Sequence, residues 1–177
     1  MLQGSNGFLQ GNVKGGKQIM LKELLILTDK TLAVAESLTA GKLSDLIAKN
    51  EGISEFYLGG ITSYTCDIKY KILGVSRDIL YKKGPYNFET THQMCDGVMI
   101  LMGSDIAVAT SGVAGPGSDL GTPQGVAYIT VKINGKYVDF LFQSTKQTRE
   151  EIRQEVAEMA YHLLISELVK IKMGVSV

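Results

Sequence analysis

From Met20 onward the chain combines two hydrophobic periods, one of about 3.6 residues and one of about two. The stretch "MLKELLILTDK" spaces its apolar residues for a helix, and a short strand over 32–36 follows. A helix of about 39–50 comes next, with Leu43, Leu46 and Ile47 on one face. A second strand ends at "LGGITSY", residues 58–64, and leads into a helix of about 66–73. A longer helix near 88–102 is entered through Gly84 and Pro85, and the apolar "DIAVAT", residues 105–110, suits a buried strand. In "VAYITVKINGKYVDFLFQS" two β-patterned runs are split by Asn134 and Gly135, a pair that tolerates the positive φ angles of a tight turn, so the segment predicts a hairpin. Thr148 with Glu151 fits a capping box, and behind it Ile152, Val156, Met159 and Leu163 form one apolar stripe.

Strands that alternate with helices, followed by a late hairpin, predict an α/β fold: a three-layer α/β/α sandwich with a mixed, mostly parallel sheet and one antiparallel hairpin. The 177 residues, 45% of them hydrophobic, suffice for one well-covered core, so residues 20–177 are read as a single domain. Residues 1–19 are rich in Gly, Asn and Gln without a sustained period and read as a flexible tail or a non-native leader, with Met20 a candidate start.

Charge narrows the functional classes. Eighteen basic and eighteen acidic residues leave no net charge, which removes the electrostatic surplus of a general nucleic-acid binder or a polybasic membrane binder. Cys66 and Cys95 lie far apart without CxxC spacing, which argues against a disulfide scaffold or a zinc ribbon. No apolar run approaches the ~18 to 20 residues of a membrane span, and the first 19 residues lack the apolar stretch of a secretory signal, so a cytoplasmic protein is expected.

Ligands of such sheets gather beyond the carboxyl ends of strands. Three polar clusters fall on strand exits: Ser37, then Tyr64 with Lys69, then Ser111 with the glycine-rich "SGVAGPGSDLGTPQG". Ser37 reads either as a cap of the following helix or as a nucleophile in need of a base. The chain has two histidines, His92 and His162, both within predicted helices, so a Ser-His-Asp triad has little support. Lys69 is an alternative base: it falls at the end of a first helical turn capped by Thr65, where the helix end disfavours an ammonium, unless it is simply a solvated lysine. Tyr64, five residues earlier, would be near enough to orient it or relay a proton. "TAGK" echoes the spacing of S-x-x-K enzymes with threonine in place of serine, but Lys42 is expected to point to solvent.

The segment from Ser111 to Gly125 offers many unobstructed backbone amides, suited to an anion or a structural loop, and lacks both the Walker ending and G-x-G-x-x-G spacing. Arg149 opens the last helix at the unfavourable end of its dipole. That mismatch is repaired if a phosphate binds there, and otherwise Arg149 is a surface charge.

Five motifs, "AESLTAG", "GGITSYTCDIKYKILGV", "SGVAGPGS", "PQGVAYI" and "TREEIRQE", occur in this order over about residues 20–170, and together they resemble the C-terminal domain of the competence/damage-inducible protein CinA, whose stand-alone versions are nicotinamide-nucleotide amidohydrolases. The resemblance implies hydrolysis of the carboxamide of nicotinamide mononucleotide, in pyridine-nucleotide recycling, without a metal or organic cofactor. It implies Ser37 as nucleophile, Lys69 as the lysine that activates it and Tyr64 as the tyrosine between them. Arg149 and Ser111, Gly112 and Gly115 match positions near the nucleotide, while Thr39, Ala40 and Gly41, opening the helix, are the expected donors to an oxyanion. The expected partner is that small molecule, with no nucleic acid or membrane, and the chain is expected to be a homo-oligomer. Where the family reads A-E-S-C-T-G-G, Leu38 and Ala40 replace the cysteine and the first glycine, Asn87 replaces a serine ahead of the long helix, and the acidic-glycine pair directly after Pro116 is missing. The alternative is a catalytically inactive CinA-like domain that binds a nucleotide or another protein.

Overall fold

The alternation in Leu32–Glu36 (β1) sets up three layers: Leu32 and Val34 face one layer of helices, while Ala33 and Ala35 face the other. The same division recurs in Ile106–Gly112 (β3), where Ile106 and Val108 lie on the large-residue side and Ala107 and Ala109 on the small-residue side. The computed structural model describes residues 20–175, so the tail or leader expected over 1–19 lies outside the described residues.

The sheet also contains Tyr57–Thr62 (β2), Val126–Ile133 (β4) and Lys136–Gln143 (β5), in the order β2-β1-β3-β4-β5. β1 pairs parallel with β2 and β3, whereas β4 pairs antiparallel with both β3 and β5. The expectation of a mostly parallel sheet needs correcting: β4 alone runs against the other strands, but it lies between two of them and makes half of the pairings antiparallel. The hairpin turns at Asn134 and Gly135, with φ of 52° and 76°, both in the left-handed region a tight primed turn requires.

Leu21–Thr28 (α1), Lys42–Ala48 (α2) and Arg149–Lys172 (α6) cover the face bearing the large side chains, and Cys66–Leu73 (α3), Arg77–Lys82 (α4) and Phe88–Met102 (α5) cover the alanine face. The small side chains let α5 come close to the sheet. Where α5 passes the end of α3, a Cβ on Gly97 would stand 2.0 Å from the carbonyl oxygen of Leu73. Asn87 and Thr148 cap α5 and α6, accepting the amides of Thr90 at 2.8 Å and Glu151 at 3.3 Å. The apolar stripe of α6 begins at Ile152 and Val156 as expected, but it drifts through Ala160, Leu164 and Leu168, leaving Met159 and Leu163 partly buried at its border.

Some expected boundaries moved. α2 starts at Lys42 rather than near 39, because Ala40 and Gly41 adopt φ of 45° and 95° and hold residues 38–41 in a turn. β2 stops at Thr62, and β3 continues to Gly112. The short α4, anchored by buried Leu80, was not anticipated: six residues are too few for a periodic signal.

Candidate active site

Glu36 pairs across the sheet with both Thr62 and Thr110, so the exits of β2, β1 and β3 lie side by side. The Ser37 amide extends the ladder to the Thr110 carbonyl at 3.0 Å, and the Ser63 amide donates to the Glu36 carbonyl at 2.8 Å. Here the chain leaves β1 towards α2 on one face of the sheet and leaves β2 towards α3 on the other, beyond the carboxyl ends of the strands where ligands of open α/β sheets usually sit. A cavity of about 260 Å³ opens there, slightly below the ~300 Å³ at which small-molecule clefts begin. Ser37, Leu38, Tyr64, Tyr86, the loop from Gly112 to Asp119, and Arg149 line it.

Ser37 and Lys69 meet although they are far apart in the chain. Lys69 Nζ is 2.8 Å from Ser37 Oγ and donates to the Ser63 carbonyl at 2.8 Å. The lysine is 1% exposed and the serine 6%. Burial lowers the ammonium pKa to about 8, against an opposing influence of Cys66. Near neutrality and above, an appreciable fraction of Lys69 is therefore the neutral amine, able to accept the serine proton.

Glu36 explains why the serine can stand where a helix cap was expected. Its buried carboxylate accepts the amides of Gly41, Leu43 and Ser44 at 2.9, 3.1 and 2.9 Å and the Ser44 hydroxyl at 2.6 Å, so the preceding residue caps α2 and the Ser37 hydroxyl is left to Lys69. The Gly41 amide is thus engaged, contrary to its expected role. Among the described residues, the amides of Leu38, Thr39 and Ala40 have no hydrogen-bond acceptor. Arg153 fixes that turn from behind, donating to the carbonyls of Leu38, Thr39 and Ala40 at 3.0, 3.1 and 3.4 Å.

The other expected residues separate into two groups. Gly112, Gly115, Tyr64 and Arg149 border the cavity, whereas Thr39, Ala40, Gly41 and Ser111 do not. Thr39 is fully buried with its hydroxyl on Thr110 at 2.8 Å, and Ser111 is fully buried with its hydroxyl on the Pro85 carbonyl at 2.7 Å. Tyr64 does not orient the lysine, a task that falls to the Ser63 carbonyl. Its hydroxyl instead accepts Arg149 Nη2 at 2.6 Å, while Arg149 Nη1 donates to the Gly115 carbonyl at 2.6 Å. Gly112 leaves no room for a side chain, since a Cβ would lie 2.3 Å from the Val126 carbonyl oxygen. Lys42, expected in solvent, bridges to Glu150 of α6 at 2.6 Å, and His92 bonds to Asp139 at 2.9 Å away from the cavity wall.

Four contributors were not anticipated: Glu36 as the cap of α2, Arg153, Tyr86 and Asp119. Arg153 carries a readable signal, because it lies four residues after Arg149 on the same helical face. Tyr86 and Asp119 carry none: they join across the cavity at 2.5 Å from segments 33 residues apart, and burial together with that carboxylate raises the tyrosine pKa.

Among the described residues no group of three or more His, Cys, Asp or Glu side chains is placed to hold a metal ion, and no helix is long and apolar enough to cross a membrane.

Known proteins share both sequence and layers with this chain. The model of the CinA C-terminal domain matches residues 17–168. A CinA-like protein of Thermotoga maritima is 40% identical over 134 residues, covering 74% of this chain and 32% of its own, and one of Thermotoga neapolitana is 35% identical over 170 residues, covering 95% and 41%. The chain therefore spans about a third of the length of the first of these curated relatives (32%). A crystal structure of a CinA superfamily protein from Klebsiella pneumoniae superposes with a TM-score of 0.79 at 26% identity, covering 82% of this chain and 91% of that one. That of the competence/damage inducible protein CihA from Agrobacterium tumefaciens gives 0.74 at 30% identity, covering 82% and 93%. With one family model matching all but the ends of the sequence, and the same layers recurring in solved relatives, this chain belongs to the family of CinA C-terminal domains.

Proposed function

We propose that the chain hydrolyses the carboxamide of nicotinamide mononucleotide to nicotinate mononucleotide and ammonia, with Ser37 as nucleophile and Lys69 as base. The observation that carries this reading is the 2.8 Å contact between a buried, readily deprotonated Lys69 amine and the Ser37 hydroxyl at the edge of a cavity. The choice of substrate rests on the likeness of the five ordered motifs to the stand-alone members of the family.

The chemistry runs in two halves. The neutral Lys69 amine takes the Ser37 proton as Oγ attacks the carboxamide carbon, giving a tetrahedral oxyanion. The unengaged amide of Leu38, the one residue of the 38–41 turn that lines the cavity, suits its stabilisation, in place of the Gly41 amide held by Glu36. Collapse breaks the carbon–nitrogen bond, and the Lys69 ammonium returns its proton to the departing ammonia. Water, deprotonated by the same amine, then cleaves the acyl-serine ester and restores both side chains. Arg149 at the cavity wall suits the 5′-phosphate, its donors exchanging the Tyr64 hydroxyl and the Gly115 carbonyl for phosphate oxygens.

The test is ammonia release from nicotinamide mononucleotide by the purified protein and by Ser37→Ala. Turnover to nicotinate mononucleotide is expected from the wild type and none from the variant, whose folding should suffer little because Glu36, not Ser37, caps α2. Equal binding of the nucleotide by both proteins with no ammonia from either would instead identify a binding domain.

A further inference from the structure

The sheet has two edges, and they are unlike. β2 is interrupted by Gly59, with φ of 128°, and by a shift in its register with β1 between Leu32 and Ala33. β5 pairs in unbroken register with β4 from Lys136 to Gln143 and contains neither glycine nor proline. The two-residue turn at Asn134 and Gly135 fixes which backbone groups face inward: those of Val138, Phe140 and Phe142 point to β4, so those of Tyr137, Asp139 and Leu141 point out of the sheet. The outward amides of these three residues have no acceptor among the described residues.

Exposed edges are normally guarded by a charge, a proline or a bulge. Of the two charged residues of β5, Lys136 stands at the turn end of the strand, and Asp139 in its middle is turned inward onto His92 at 2.9 Å and the Thr130 hydroxyl at 2.8 Å. Between Val138 and Phe142 the rest of the strand is apolar. Val138, Phe140 and Phe142 share one face, with Phe140 39% exposed, and Leu141 on the other face is 56% exposed.

We propose that β5 pairs antiparallel with β5 of a second copy of this chain, about a two-fold axis through Phe140, so that one sheet continues across both molecules. The sequence of the strand selects this occupant and this register. With Phe140 opposite its own counterpart, Val138 faces Phe142 on both sides of the axis, and an unbroken apolar row forms on one face. On the other face Tyr137 meets Gln143 and Asp139 meets Leu141, so no two like charges oppose each other. Moving the axis to Asp139 would set two carboxylates against each other, and moving it to Leu141 would set Val138 against Ser144 and shorten the row. The register also places the outward backbone groups of residues 139 and 141 in mutual hydrogen-bonded pairs. Such an isologous contact closes on itself and leaves β2, the interrupted edge, at both ends.

The test uses the full chain with Cys66→Ser as background, because Cys66 is the partly exposed native thiol and Cys95 is buried. Sedimentation equilibrium should show a dimer. Phe140→Cys should form an intermolecular disulfide on mild oxidation, since directly opposed residues of a non-hydrogen-bonded pair have Cα atoms about 4.5 Å apart, within disulfide reach. Leu141→Cys, opposed to Asp139, should not. Phe140→Lys should weaken the dimer roughly tenfold or more by opposing two ammonium groups at the axis. A wild-type monomer at high protein concentration would overturn the proposal and leave the edge to another occupant. A dimer that survives Phe140→Lys without cross-linking at residue 140 would overturn it too, and cross-linking at 141 in place of 140 would overturn the register.

Discussion

Lys69 occupies the fourth position of α3, where burial and the positive end of the helix both disfavour its ammonium form. The carbonyl of Ser63 aims the amine at Ser37, and Glu36 occupies the helix-cap role that would otherwise compete for the serine. Arg149 is the other charged residue at the cavity whose placement asks for a ligand, since a guanidinium at the first position of α6 faces the unfavourable end of its dipole. If it grips a 5′-phosphate, Arg149→Ala should weaken binding of nicotinamide mononucleotide by roughly 1.5 to 3 kcal/mol, the range for hydrogen bonds to charged groups. Nicotinamide riboside, which lacks the phosphate, should bind the two proteins alike. Calorimetry with both ligands makes the comparison, and an equal loss for nucleotide and nucleoside would reassign Arg149 to shaping the cavity in general.

Elements whose period is long or whose turn chemistry is explicit were legible from the sequence: α3 and α5 lie where the pattern puts them, and the hairpin turns at Asn134 and Gly135. Legibility fails where a long-range partner decides the outcome. α2 begins late because Glu36 reaches across the turn at 38–41, and Thr39 and Ser111 turned inward because Thr110 and Pro85 supply buried partners that no local spacing announces. Ser37 and Lys69 were identifiable as strand-exit and first-turn residues, yet their contact depends on the register that sets Thr62 beside Glu36. Gly97 shows the same limit within a helix. By propensity alone, Gly97→Ala should stabilise α5 by ~1 kcal/mol. The Leu73 carbonyl in its path makes the net change a loss, with overpacking costing typically ~1 to 3 kcal/mol before that gain is subtracted. Thermal unfolding of Gly97→Ala should therefore begin at a lower temperature than wild type, and a rise would mean that α5 can move away from α3.

For the molecule as a whole, the Lys69 pKa is a property of folding as well as of the proposed catalysis. The unfolded chain holds the lysine proton up to its ordinary value of 10.5, whereas the folded chain releases it near 8. Between those values the unfolded state binds more protons, so this group makes stability rise with pH, and below about 8 the full cost of burying the charge is felt. That cost is about 3 kcal/mol on the scale of 1.36 kcal/mol per pKa unit. Denaturant unfolding of wild type and Lys69→Met should consequently show a stability difference that is largest below pH 8 in favour of the variant and shrinks towards pH 10.5. A difference independent of pH would mean that Lys69 is not the displaced titrating group. The same displaced proton governs turnover if Lys69 is the base. The most direct measurement is the pH dependence of ammonia release from nicotinamide mononucleotide, for wild type and Lys69→Met. The expected wild-type kcat is low near pH 6 and climbs towards a plateau above about 8, as the amine loses its proton, with the variant inactive throughout. A flat wild-type profile accompanied by an active Lys69→Met protein would contradict the assignment of Lys69 and Ser37 as the catalytic pair.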